Sequence, residues 1–195
     1  MAKISAPARL IAPKYARQLG RDPLLFEIEK RAFHSILFSL PKPCPALGTG
    51  IGRLARTLAI PGGIGKGKNL RQMSRARKVP VICTLGLPPS PALLLKECHH
   101  LLRREGKILV GFIPQESPWG RFYVQAQKRS RLIHRLAGPY PLKKVEHMMM
   151  EAGFSIQEYF STLFQKPGAV KEPENPMRGY RSQAGFLVIL GERRD

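Results

Sequence analysis

Apolar and polar positions along the chain sort it into helices and strands, most clearly beyond residue 80. Leu24, Leu25, Ile28, Phe33, Ile36 and Leu37 recur at helical spacing after Pro23 and stop before Pro41, which predicts a first amphipathic helix. Arg53–Ala59 reads as a short helix after a glycine-containing stretch. Lys68–Lys78 has helical propensity, with only Leu70, Met73 and Ala76 on its apolar side. Val79–Leu85 is short and β-branched, as a buried strand is, with Pro80 near its start where a missing N–H is tolerated.

From there the order is regular. Ser90-Pro91 supplies a helix cap followed by proline at the first helical position. Leu94, Leu95, Cys98, Leu101 and Leu102 form one face, Arg103 and Arg104 suit the C-terminal dipole, and Gly106 is expected to end the helix. Lys107–Ile113 is an apolar strand, so strand–helix–strand predicts a parallel crossover. Trp119–Leu132 reads as helical. Leu142, Val145, Met148, Met149 and Ala152 predict another helix stopped by Gly153. Ser155–Phe164 and Ala184–Leu190 read as strands separated by a proline-rich excursion from Pro167 to Pro176, which suggests an antiparallel hairpin. The expected fold class is α/β: a Rossmann-like, mostly parallel sheet with a C-terminal antiparallel hairpin. Residues 1–22 are expected to form an irregular basic segment and 23–195 a single domain.

Composition sharpens this in three ways. No apolar run is long enough for a transmembrane helix, and Pro7, Arg9, Pro13 and Lys14 interrupt any secretory core. The acid-free, arginine-bearing start is read as a frayed basic terminus, with an organelle transit peptide as the alternative. Cys44, Cys83 and Cys98 are odd in number and widely spaced, against a disulfide framework and for a reducing, cytoplasmic setting. Thirty-three Lys and Arg against 13 Asp and Glu give a net charge of +20, a field that attracts nucleic acid and other anions by charge alone. Eight basic residues and no acid lie between Arg53 and Lys78.

Candidate chemistry is sparse. Gly48-Thr49-Gly50-Ile51-Gly52 is a G-x-G-x-G turn between a strand and a helix, where glycines let the backbone approach a ligand and present helix N–H groups. It lacks the third-glycine spacing of the dinucleotide fingerprint and the Lys-Ser/Thr of a phosphate loop. Cys98-His99-His100 lacks metal-ligand spacing and reads as a packing cysteine beside solvent-facing histidines, so no metal site is assigned. Glu116, Ser117 and His134 read as cap or loop residues, with a general base among them as the alternative, and Met148-Met149-Met150 as core filling. Trp119, Phe122 and Tyr123 suit either a substrate pocket or a satellite core cluster.

In series these segments resemble the class I S-adenosylmethionine-dependent methyltransferases, most closely the type 11 subgroup. Leu47-Gly48-Thr49-Gly50-Ile51-Gly52-Arg53-Leu54-Ala55 is similar to the glycine loop after the family's first strand. Gly63-Ile64-Gly65-Lys66-Gly67 falls where its second strand ends, and Asn69–Arg77 where the next helix lies. Thr84–Pro91 with Leu94–Glu97 resembles the fourth strand and its helix. Leu101–Phe112 resembles the turn and fifth strand, and Ser117–Arg121 and Met150–Phe154 are similar to later subgroup motifs.

The resemblance implies methyl transfer from S-adenosylmethionine to a small-molecule acceptor. Gly48, Thr49, Gly50, Gly52, Gly65, Thr84 and Leu85 would lie along the cofactor, and Trp119 and Arg121 would cover the acceptor, with no assignable general base. The departures are specific. Ala46 and Gly65 stand where the family carries acids, and the second of these normally accepts hydrogen bonds from both ribose hydroxyls. Its loss costs about 1.5–3 kcal/mol. The short join at Lys78–Val81 leaves no room for the third strand, which is expected to be missing. The Lys68–Lys78 helix would then cross on the opposite face, or the second strand would be poorly formed. The alternative function is a catalytically inactive, basic RNA- or anion-binding module on the same fold.

Overall fold

The computed structural model describes residues 23–37, 46–47, 81–84, 90–129 and 138–194. Its elements in chain order are α1 (Pro23–Leu37), β1 (Ala46–Leu47), β2 (Val81–Thr84), α2 (Pro91–Leu101) and β3 (Lys107–Phe112). They continue with α3 (Pro118–Arg129), α4 (Leu142–Glu151), β4 (Phe154–Thr162), β5 (Met177–Arg178) and β6 (Phe186–Arg193). One sheet runs in the order β1-β2-β3-β6-β4-β5. β1, β2 and β3 are mutually parallel, whereas β6 is antiparallel to both β3 and β4, and β5 is antiparallel to β4.

The expected parallel pairing of β2 and β3 around α2 is present, as is the antiparallel pairing of the two last long strands. The expectation of a mostly parallel sheet is not met among the described strands. Among the described strands three of the five pairings are antiparallel, because β6 inserts between β3 and β4 rather than at the sheet edge. The place of the family's second and third strands lies outside the described residues.

Both faces of the sheet are covered, which is why β3 and β6 are nearly continuous apolar runs. One face holds Leu109, Phe186 and Val188 against Ile28, Ala32, Phe33, Ile36 and Leu37 of α1 and Trp119 of α3. The other holds Ile108, Val110, Phe112, Leu187 and Ile189 against Leu95 and Cys98 of α2 and Val145, Met148 and Met149 of α4. Met150, third of the methionine run, is exposed, so only two of the three fill the core.

The ends of α2 differ from expectation. Ser90 is its N-cap residue and Pro91 opens it, yet the Ser90 side chain makes no capping bond. The helix stops at Leu101 with Leu102 extended, so Arg103, Arg104 and Gly106 belong to the following turn. A distant cation serves the helix end instead. Arg193, in β6, donates from one terminal nitrogen to the carbonyls of His99 (2.9 Å) and Leu102, where a positive charge suits the helix dipole.

Candidate functional site

Parallel strands end together at one edge of the sheet, and ligands of open α/β folds bind outside those carboxyl ends. Leu47 pairs with Cys83, and Cys83 with Val110; one residue further, Thr84 pairs with Gly111. Gly48 follows Leu47 in the chain, so the glycine-rich segment begins where this edge begins. Gly48, Thr49, Gly50, Gly52, Gly65 and Leu85 lie outside the described residues. Thr84 is the last residue of β2, at the carboxyl end.

Beyond β3 the chain turns sharply into α3. Ser117 is fully buried, donates its hydroxyl proton to the Pro114 carbonyl (2.7 Å) and accepts from the Gly120 amide (2.9 Å), as an N-cap does. Only glycine fits at 120, since a Cβ there would stand 2.1 Å from the Pro114 carbonyl oxygen. The same turn is tied to α4. The Gln115 amide donates to the Tyr140 carbonyl (2.9 Å) and the Tyr140 amide to the Ile113 carbonyl (3.0 Å). The Glu116 carboxylate accepts from the Leu142 amide (3.2 Å) at the start of α4, an end where negative charge is favourable. Glu116 is thus a helix-capping residue.

Trp119 and Arg121 share this first turn of α3 but stand in different surroundings. Trp119 is 3% exposed, lies over Gly185, and donates its indole N–H to the Gln165 carbonyl (2.7 Å). A Cβ at Gly185 would be 2.2 Å from Trp119 Cδ1, so the ring needs a glycine beneath it. Tyr123 and Phe122 pack around the indole, and Phe122 is 47% exposed. Arg121 is exposed and donates to the Glu116 carbonyl.

The segment that meets Trp119 is held by one glutamate. Glu174 accepts from the Phe164 amide (2.6 Å) through one oxygen and from the Gln165 amide (2.8 Å) through the other. Gln165 in turn bonds Glu172 and Lys171 with its side chain, both at 2.8 Å. Leu163, 4% exposed, sits at φ 64°, a strained position for a leucine, and its carbonyl accepts from the Gly185 amide (2.8 Å). This anchoring escapes sequence reading, because Glu174 and Gln165 are ordinary polar residues in a proline-rich segment.

α1 covers the same end of β3. Phe33 packs edge-on against Phe186, centroids 6.1 Å apart, and its Cζ would lie 2.5 Å from a Cβ at Gly111. Glu27 pairs with Lys30 and Arg31 on the outer side of the helix, and these cations hold its carboxyl below the usual range. An open cleft of about 570 Å³ lies there, between Glu27, Lys30, Arg31 and His34 of α1 and Asn175 and Pro176. Glu29, by contrast, lies in the apolar arc, partly buried, and burial pushes its carboxyl up to about 8. Its signal in the sequence is an acid four residues from both Leu25 and Phe33.

The remaining candidates serve packing. Cys98 is fully buried, His99 stacks edge-on with Phe154 at 5.5 Å, and the exposed His100 has its Nδ1 2.8 Å from the Lys96 carbonyl. Burial, then the charge of Arg193, lowers the His99 pKa. Among the described residues no three His, Cys, Asp or Glu side chains form a metal cluster, and no helix is long and apolar enough to cross a membrane.

No protein-family model matches the chain. Among curated proteins, an uncharacterized protein of Mycobacterium tuberculosis is 25% identical over 90% of this chain and 68% of its own length. An uncharacterized protein of Methanocaldococcus jannaschii is 26% identical over 75% of this chain and 80% of its own. Among solved structures, a Thermotoga maritima SAM-dependent methyltransferase, described as a possible histamine N-methyltransferase, superposes with a TM-score of 0.76. It is 22% identical, over 96% of this chain and 98% of that one. A proposed methyltransferase of Haloferax volcanii, in complex with the Trm112 methyltransferase activator, gives 0.55 at 15% identity over the whole of both chains. An Archaeoglobus fulgidus SAM-dependent methyltransferase gives 0.52 at 12% identity over 88% of this chain and 100% of that one. The chain has the fold of the class I S-adenosylmethionine-dependent methyltransferases.

Proposed function

We propose that the protein transfers a methyl group from S-adenosylmethionine to a small-molecule acceptor at the carboxyl edge of β1, β2 and β3. The observation that carries this reading is the edge itself: β1 and β2 are adjacent and parallel, and β1 runs directly into Gly48-Thr49-Gly50-Ile51-Gly52. A glycine loop after a parallel strand is where backbone amides approach an anionic or polar ligand closely. The parallel pairing of β1, β2 and β3 and the likeness to solved methyltransferases support a Rossmann-like form of that site, and the sequence resemblance alone suggests the type 11 subgroup.

The donor set fits the cofactor in one part and not in another. Gly48, Thr49, Gly50 and Gly52 suit its methionine portion. The ribose position does not fit the usual arrangement, since Gly65 offers no carboxylate and residues 30–96 contain no Asp or Glu at all. Binding should therefore be weaker by about 1.5–3 kcal/mol, or roughly one to two decades in affinity, than with that acid present.

When bound, the cofactor supplies a methyl group that is already activated, so the protein contributes position. Thr84 and Leu85 border the reacting end. Trp119 fixes the first turn of α3, from which the exposed Arg121 covers the acceptor. A thermal-shift titration with S-adenosylhomocysteine tests this reading. A saturable rise in Tm is expected, and no shift at millimolar ligand would reject it. Salt-sensitive RNA binding without such a shift would favour the basic binding module instead.

A further inference from the structure

On the outer side of α1, Glu27, Lys30, Arg31 and His34 stand at helical positions i, i+3, i+4 and i+7, so they form one polar stripe. The apolar stripe of Ile28, Ala32, Phe33 and Ile36 faces the sheet, where α1 packs on β4 and β6. Asn175 and Pro176, just before β5, form the other wall of the cleft of about 570 Å³. β5 is the outermost strand, at the end of the sheet remote from β1. None of the residues that line this cleft belongs to β1, β2 or the glycine-rich segment, so it is separate from the proposed cofactor edge.

Two cations of the stripe are already held in place. Glu27 pairs with Lys30 and, at 3.3 Å, with Arg31 Nε, while Arg31 Nη1 donates across the cleft to Asn175 Oδ1 (3.4 Å). The Lys30 and Arg31 side chains are 25% and 40% exposed, against 79% for Arg178. Much of their freedom is therefore lost before any ligand arrives, which lowers the entropic cost of binding one. Among the described residues Arg31 bonds through Nε and Nη1, which leaves Nη2 for a ligand, and Lys30 has three protons and one carboxylate partner. Against these two permanent cations the cleft is lined by one carboxylate, Glu27. Glu174, next to Asn175, is engaged by the Phe164 and Gln165 amides instead.

The excess positive charge sets the class of ligand. A monocarboxylate would only repeat what Glu27 supplies. A phosphate monoester brings nearly two negative charges and three acceptor oxygens, and its bonds to Lys and Arg are of the strong, charge-assisted kind. The cleft is much larger than a phosphate group and falls within the range of small-molecule sites, roughly 300–1,000 Å³. We propose that the cleft between α1 and Asn175 binds a small organic phosphate monoester. Lys30 and Arg31 hold the phosphate, and Asn175 fixes the Arg31 guanidinium and has its own amide N–H groups to donate. This site does not rest on the methyl-transfer reading.

The test is isothermal titration of phenyl phosphate into the full chain at about 0.15 M salt, where exposed charges are well screened. Wild type is compared with R31Q, K30Q and K144Q. The last removes an exposed cation from α4, on the other face of the sheet, and so makes the same change in net charge. Saturable binding by the wild type is expected, weakened at least roughly tenfold in R31Q and K30Q and by less than about twofold in K144Q. Benzoate should bind at least roughly tenfold more weakly than phenyl phosphate. E27Q keeps an oxygen to position the cations but removes the competing charge, so it should bind about twofold to fivefold more tightly, a gain that a misfolded variant would not show. No heat from phenyl phosphate with the wild type, or weaker binding by E27Q, overturns the proposal. Equal losses in K144Q and R31Q would show attraction by the overall charge of +20 alone, and equal affinity for benzoate would remove the preference for phosphate. A single-stranded oligouridylate that binds where phenyl phosphate does not would make the cleft a polyanion surface, against the proposal.

Discussion

The two halves of this sheet are built from different chemistry. In the half made by β3, β4, β5 and β6, glutamates have assigned tasks. Glu192 pairs with Lys107, Glu158 with Arg178, Glu146 accepts from the Tyr159 hydroxyl, and Glu174 and Glu116 hold backbone amides. The half made by β1 and β2 belongs to a stretch, residues 30–96, with no acid at all. The first half uses charge to fix turns and helix ends. The second offers a ligand backbone groups, glycines, neutral polar side chains such as Thr49 and Thr84, and cations, but no carboxylate.

Mutations in the first half should cost stability while leaving affinity for S-adenosylhomocysteine per folded molecule intact. The largest effect is expected at Trp119, whose indole fills the space over Gly185. Trp119→Ala should lose about 3–5 kcal/mol in urea unfolding. A loss below about 1 kcal/mol would show that the ring does not hold the half together. Glu174→Ala, which strips two backbone amides of their acceptor, should lose about 1.5–3 kcal/mol by the same measurement. Ser117→Ala removes the N-cap of α3 and should lose about 1 kcal/mol.

Glu29 offers a comparison through pH. Its carboxyl is raised by burial to about 8 in the folded protein. Between its unfolded pKa and that value the native state holds more protons than the unfolded one, so stability falls as pH rises through this window. Relative to E29Q, the wild-type protein should lose Tm progressively from about pH 5 to about pH 8 and change little beyond. A constant difference across the range would place Glu29 in an ordinary solvated setting.

How far the sequence foretold this molecule follows the same division. Periodicity located α1, α2, α4, β2, β3 and β4, because apolar spacing reports burial directly. It did not place β6 between β3 and β4, since strand order depends on partners remote in the chain, and Phe186–Arg193 reads the same at an edge or inside. Nor did it foresee Arg193 at the end of α2, a contact spanning some 90 residues. Within the site, Ser117 was legible as a cap or loop residue, the need for glycine at 120 emerged only from the packed turn, and Trp119 had two readings that spacing could not separate. Its burial over Gly185 gives it a packing role. Glu29 was visible as an interruption of an apolar stripe, but its lack of a partner required the packed helix.

The proposed site turns on Gly65, where the family's ribose-binding acid is absent. Isothermal titration of S-adenosylhomocysteine into the wild-type protein and Gly65→Asp measures that absence directly. The account predicts weak, saturable binding by the wild type and an affinity roughly 10–100-fold higher in G65D, the converse of the missing hydrogen bonds. No heat from either protein would contradict a cofactor site at the carboxyl edge of β1 and β2.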